Sequence, residues 1–114
     1  MDERILKWLY DVSKAITEIE SFFVNTPKDF EYYQSNILLK RAIERDLEII
    51  GEAVNRILKR DPKFPLEHAK KIIGLRNHII HAYDNISDEN IWAIITKHIP
   101  NLKKEVLNFI ETEE

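Results

Sequence analysis

Between Gly74 and Asp84 the chain reads Gly-Leu-Arg-Asn-His-Ile-Ile-His-Ala-Tyr-Asp, placing an arginine, an amide, two imidazoles and a phenol between Arg76 and Tyr83. These are the groups that cleavage of a phosphodiester without a metal would use. A guanidinium at Arg76 offers a permanent planar charge to phosphate oxygens. An imidazole at His81 moves protons near neutral pH, an effect typically worth about 10²–10⁴-fold in rate. The plainer alternative is that Arg76 and Tyr83 anchor a helix end while His81 caps its carbonyls. His78 and His81, three residues apart, also have a spacing that suits a shared metal, but no carboxylate joins them, which is a weak ligand set. His68 sits beside Lys70 and Lys71 and reads as part of a solvated face, and His98, just before Pro100, reads as a base facing helix carbonyls. No Gly-rich phosphate loop, His-Glu-x-x-His or nucleophile-elbow serine occurs. The absence of cysteine excludes thiolate catalysis, disulfides and Cys-based metal sites.

Helical geometry constrains that cluster. On a straight helix Arg76 and Tyr83 fall within roughly 20° of each other, whereas Arg76 and His81 are roughly 140° apart. One helix would not aim both at one phosphate. Either the helix unwinds before His81, or a second copy completes the site, as a two-fold dimer presenting the same patch twice would do.

The elements that must carry these residues are helical. Ile5, Trp8 (or Leu9), Val12, Ile16, Ile19 and Phe23 recur every three or four residues and mark one buried stripe, which Asn25-Thr26-Pro27 ends. A second stripe holds Leu38, Ala42 (with Ile43), Leu47, Ile50, Val54 and Ile57, stopped by Asp61-Pro62. The stretch PKDFEYYQ between them fits either a short helix or an irregular entry. A third helix is expected from about Pro65 through Ala82, with Ala69, Ile72, Ile73, Ile79 and Ile80 inward. Asp84-Asn85 reads as a turn and Ser87 as an N-cap, with Asp88 and Glu89 in the first turn of a helix carrying Ile91, Trp92, Ile94 and Ile95. Pro100 either kinks that helix or opens a last one holding Leu102, Val106, Leu107 and Ile110. Gly51, inside the second helix, implies close approach of a neighbouring helix, since Gly there costs about 1 kcal/mol relative to Ala. No strand-like alternation or internal repeat is present. The expected fold is all-α, an antiparallel four- to five-helix bundle.

Composition agrees. The 114 residues suit a single domain spanning 1–114, and 44% hydrophobic with 32% charged residues fits neither a disordered nor a membrane chain. Two Gly and four Pro leave little for the tight turns of a β-sandwich. The start, MDERILKWLYD, interrupts its apolar residues with charges, unlike a signal peptide, which points to the cytoplasm and away from any membrane. The net charge of −3 argues against a surface that holds nucleic acid everywhere. Yet Lys40 to His81 carries ten Lys/Arg against six Asp/Glu, which fits either a local anion-binding face or ordinary variation along charged helices.

Arg76-x4-His81-Ala82-Tyr83 resembles the R-x4-H-x-Y pattern of the HepT-like branch of HEPN domains, small all-α toxins of prokaryotic toxin–antitoxin modules. Three flanking blocks extend the resemblance over most of the chain: Leu47-Glu48-Ile49-Ile50-Gly51-Glu52-Ala53, Lys71-Ile72-Ile73-Gly74-Leu75-Arg76-Asn77, and Ile91-Trp92 followed by His98-Ile99-Pro100-Asn101-Leu102. Leu66, where relatives often carry tryptophan, and His78, inside the motif, depart from the pattern. The resemblance implies a metal-independent endoribonuclease without cofactor, acting as a homodimer with its cleft at the subunit interface, with further pairing to a tetramer left open. Arg76 would bind the scissile phosphate, His81 would serve as general acid or base, and Asn77 would position. Attack by the ribose 2′-hydroxyl would make DNA inert. Tyr83 matches the tyrosine that a minimal nucleotidyltransferase antitoxin adenylylates, and phosphates added beside Arg76 would occupy the anion site and repel RNA. Two other readings stand beside it: a non-catalytic HEPN module that docks a nucleotidyltransferase or a nucleotide, and a structural helical dimer whose polar motif serves assembly alone.

Overall fold

The computed structural model describes residues 1–67, 72, 74 and 87–113. In chain order the helices are α1 (Glu3–Ser21), α2 (Phe30–Ser35), α3 (Ile37–Arg60), α4 (Asp88–Ala93) and α5 (Ile99–Glu113), with a π-helical turn, Ile94–His98, joining the last two. No strand occurs among the described residues. The fold is all-α, as the periodicity implies.

The helices begin where short polar side chains can take up the free N–H groups of a first turn. Asp2 accepts from the Arg4 amide at 2.8 Å, Asp29 from Tyr32 at 3.1 Å, Asn36 from Leu39 at 3.0 Å and Ser87 from Asn90 at 3.1 Å. The ambiguous stretch after Pro27 resolves into α2, which its Asp29 cap makes possible despite a length of six residues. Asp61 closes α3 at the position expected from Asp61-Pro62.

Side-chain pairs between helices give their directions. Arg60 Nε donates to Asp2 Oδ2 at 2.6 Å, joining the end of α3 to the start of α1. Lys103 reaches Glu20 at 2.8 Å and the terminal ammonium of Met1 reaches Glu113 at 3.3 Å, so α5 runs opposite to α1. The bundle is therefore antiparallel. Its core gathers Ile5, Leu9, Val12, Ile16 and Ile19 from α1, Ile43, Leu47, Ile50, Val54 and Ile57 from α3, and Leu102, Val106 and Ile110 from α5. Each large aliphatic side chain so buried is worth about 1.5–3 kcal/mol.

Several positions differ from expectation. Leu9, fully buried, takes the inward place at the first stripe, and Trp8 is only half-buried. Leu38 is 81% exposed rather than inward, because the Asn36 cap starts α3 at Ile37 and the buried register opens only at Ile43. Phe23 is half-buried against the edge of the core, and Leu107 is half-buried. Gly51 is buried within α3.

Pro100 stands in the first turn of the last helix, α5, which it opens without interrupting the helical path leading into it. It has no N–H to donate and its ring crowds the carbonyl four residues back. The chain responds by widening one turn: the Ile99 amide donates to the Ile94 carbonyl, five residues back, and the helical path runs on from Asp88 to Glu113. His98 thus lies inside a continuous helical run and not at free carbonyl ends.

Candidate functional site

Arg76, Asn77, His81 and Tyr83 lie outside the described residues, as do His78, His68, most of the helix expected over 65–82 and the turn at Asp84-Asn85. The structure describes what holds that stretch at either end. Before it, the Phe64-Pro65-Leu66 segment follows α3, with Leu66 buried and the Phe64 ring against Phe109 of α5, centroids 4.7 Å apart. The Glu67 amide donates to Glu105 Oε2 at 3.2 Å, tying the segment to α5. Four residues before Arg76, Ile72 is helical and buried in the common core.

After the stretch, Ser87 caps α4 and Lys40 of α3 pairs with Asp88 at 3.1 Å. Both partners of that pair are mostly shielded from water, so removing one leaves the other poorly solvated. Behind it Phe23, Phe30, Tyr33 and Trp92 form an aromatic cluster, Trp92 lying 5.3 Å from Tyr33, 5.9 Å from Phe23 and 6.2 Å from Phe30. The two anchors meet α3 near its opposite ends, one beyond Arg60 and one at Lys40.

Two buried polar groups stand out. The Tyr33 hydroxyl is enclosed and has no hydrogen-bond partner. Burial pushes its pKa up, the Asp88 and Glu44 carboxylates add to that, and Arg41 opposes them. Asp46 is 3% exposed on the inner side of α3. Burial, then a hydrogen bond shared with Glu18 of α1, then the Glu18 charge push its carboxyl up to about 7, with Arg45 opposing. Two like charges brought close on α1 and α3 favour the protonated form of the buried one. Sequence reasoning passed over Asp46, although a signal exists: an acid three residues after Ile43 and four before Ile50 falls in the buried register.

No group of three or more His, Asp or Glu that could hold a metal occurs among the described residues, and none of their helices is long and apolar enough to cross a membrane.

Comparison with known proteins gives a consistent result. The family model described as "Ribonuclease HepT-like" matches residues 12–109, a span that includes the whole of Arg76 to Tyr83. A protein of Methanocaldococcus jannaschii named "Putative RNase MJ1380" is 37% identical over 111 residues, covering 93% of this chain and 97% of its own. One from Caldanaerobacter subterraneus subsp. tengcongensis, "Putative RNase TTE0752", is 38% identical over 89 residues, covering 75% and 77%. A protein of Thermococcus cleftensis named "Probable ribonuclease HepT" is 33% identical over 100 residues, covering 84% and 86%. No solved structure gives a significant match.

Proposed function

The chain belongs to the HepT-like ribonuclease family, and from that premise we propose that it is a metal-independent endoribonuclease, the toxin of a toxin–antitoxin pair. The observation that carries this reading is the coincidence of the family match with an intact Arg76-x4-His81-x-Tyr83 stretch. In the proposed reaction the ribose 2′-hydroxyl attacks the adjacent phosphorus and gives up its proton to a base. The bond to the 5′-oxygen breaks and that oxygen takes a proton from an acid, leaving a 2′,3′-cyclic phosphate and a 5′-hydroxyl. His81 serves as the acid or the base, and Arg76 neutralises charge developing on the phosphate oxygens. Asn77 positions the strand.

The separation of Arg76 and His81 around a straight helix favours a site completed across a two-fold dimer, with one protomer's arginine facing its partner's imidazole. Control would act at Tyr83. A nucleotidyltransferase partner moves an adenylyl group from ATP to the phenol oxygen with release of pyrophosphate, and the attached phosphate then fills the anion site at Arg76.

The test is cleavage of a defined RNA by wild-type, Arg76→Ala and His81→Ala chains with end-mapping of products. Each substitution should lower the rate by about 10²-fold or more, with the helical circular dichroism unchanged. Undiminished cleavage by both variants would end the proposal. The net charge of −3 favours a second reading, a non-catalytic module that docks the nucleotidyltransferase. Unmodified wild-type chain that binds such a partner and leaves RNA intact would select it.

A further inference from the structure

Where α3 ends beside the start of α1, Asp2, Ile5, Arg60, Asp61, Phe64 and Phe109 line an open recess of about 480 Å³. That lies within the roughly 300–1,000 Å³ of sites that take small organic groups. One wall is apolar: buried Ile5 and the half-buried rings of Phe64 and Phe109, whose centroids are 4.7 Å apart. The other wall is polar. Arg60 is fixed there by its Nε bond to Asp2 at 2.6 Å, which neutralises the Asp2 charge and uses one of a guanidinium's five N–H donors. Asp61 holds the Lys63 amide at 3.1 Å through Oδ1, which leaves its second oxygen to accept another donor.

Positive charge surrounds the recess without being spent. Arg4, Lys59 in the last turn of α3 and Lys63 beside Phe64 are exposed, and none enters an ion pair among the described residues. Further up the same helix, by contrast, Arg41, Arg45 and Arg56 are each matched by a glutamate. The unpaired acids beside these cations in the chain, Glu3 and Asp61, leave the cations in excess.

An aromatic wall among uncommitted cations is the combination that binds single-stranded nucleic acid: a base stacks on a ring while its phosphate meets an ammonium group. An acyl chain would use the wall and not the cations, and a free phosphate the cations and not the wall. Asp61 adds an acceptor for a base's exocyclic amino group, which cytosine carries and uracil lacks.

We propose that this recess is a subsite for one unpaired nucleotide of an RNA strand, its base on Phe64 and Phe109 and its phosphates at Lys59 and Lys63. The choice of RNA rests on the ribonuclease reading; the site itself is tested by binding alone.

The test uses the whole chain and a short RNA methylated at every 2′-oxygen, which offers no nucleophile for cleavage. In a two-dimensional NMR titration, saturable shifts should fall on Arg4, Ile5, the residues from Lys59 to Phe64, and Phe109. Lys59→Ala and Lys63→Ala are exposed changes that spare the core. Each should weaken binding about threefold or more in about 0.1 M salt and lower the slope of log affinity against log salt by about 0.7. Phe109→Leu should weaken it about fivefold or more, as the loss of one stacked base predicts. Lys97→Ala, in the π-helical turn before α5, should leave it unchanged, and a cytidine strand should bind more tightly than a uridine strand. Equal binding by all these variants, shifts confined to other residues, or the same shifts at Phe64 and Phe109 from inorganic polyphosphate would overturn the proposal. Equal affinity for the cytidine and uridine strands would overturn the placement of the base beside Asp61. Binding here by a chain that cleaves no RNA would sink the ribonuclease reading alone. Cleavage by a chain whose lysine and phenylalanine variants bind as wild type does would sink this subsite alone.

Discussion

Replacing Asp46 by Asn should stabilise the protein, and only above the pH at which the unfolded carboxyl ionises. In the fold the Asp46 carboxyl is pushed from an ordinary value of 3.8 up to about 7 by burial and by Glu18. The folded state therefore holds a proton that the unfolded chain has released. The cost is nil below about pH 4, grows as pH rises, and levels off above about pH 7. A gap of some three units corresponds to about 4 kcal/mol at most, since each unit is worth about 1.4 kcal/mol. The recess beside Asp46, between α1 and α3, is open to water on one side, and Arg45 opposes the shift, so a realised cost of about 1–2 kcal/mol at pH 8 is the expected size. Asn keeps the shape, carries no charge, and can donate its amide to Glu18. Thermal unfolding of both chains at pH 4, 6 and 8, followed by circular dichroism, should show melting temperatures that agree at pH 4 and differ by about 5–10 °C in favour of Asn at pH 8. Parallel curves across that range, or a variant less stable at pH 8, would refute the argument that this acid pair is uncompensated.

Tyr33→Phe removes a buried hydroxyl that has no partner, so the urea midpoint should stay or rise, by up to about 1 kcal/mol of stability. Ser87→Ala deletes the cap of α4 and should cost about 1 kcal/mol in the same measurement. Lys40→Ala leaves Asp88 half-buried without its cation, and the melting temperature should fall more than it does for Lys7→Ala, whose pair with Asp11 is exposed. If the ribose 2′-hydroxyl is the nucleophile, cleavage should persist in excess chelator, and a DNA strand of the same sequence should stay whole.

Helical periodicity made most of the core readable, because apolar residues three and four apart have few other ways to be buried. It could not choose between Trp8 and Leu9, which differ by one step of 100° at the edge of the stripe; packing against α3 and α5 chose Leu9. Leu38 departs from its stripe for a related reason: periodicity says which face a residue lies on but not how far the partner helix extends. The aromatic cluster was not legible at all. Phe23, Phe30, Tyr33 and Trp92 come from three separate parts of the chain and have no common spacing. Pro100 showed that regular geometry must fail near it, while the way it fails, one widened turn, depends on the neighbours that keep Ile95, Ile99 and Leu102 buried on one side.

The candidate site divides along the same line. The reactive types at Arg76 and His81 are legible because their spacing is local, and the angular conflict between them is legible too. It calls for either a helix that unwinds before His81 or a second protomer, the second being the form proposed above. Acidic pairs behave in the opposite way: Glu18 and Asp46 sit 28 positions apart on two helices, so only the antiparallel register of α1 on α3 brings them together. An acid inside a buried register is nonetheless a warning that can be read in advance. A carboxylate there must be neutralised by a proton or by a cation, and the Arg45 charge on α3 offsets only part of the effect of burial. That demand makes Asp46 a residue where the fold gives up stability at neutral pH.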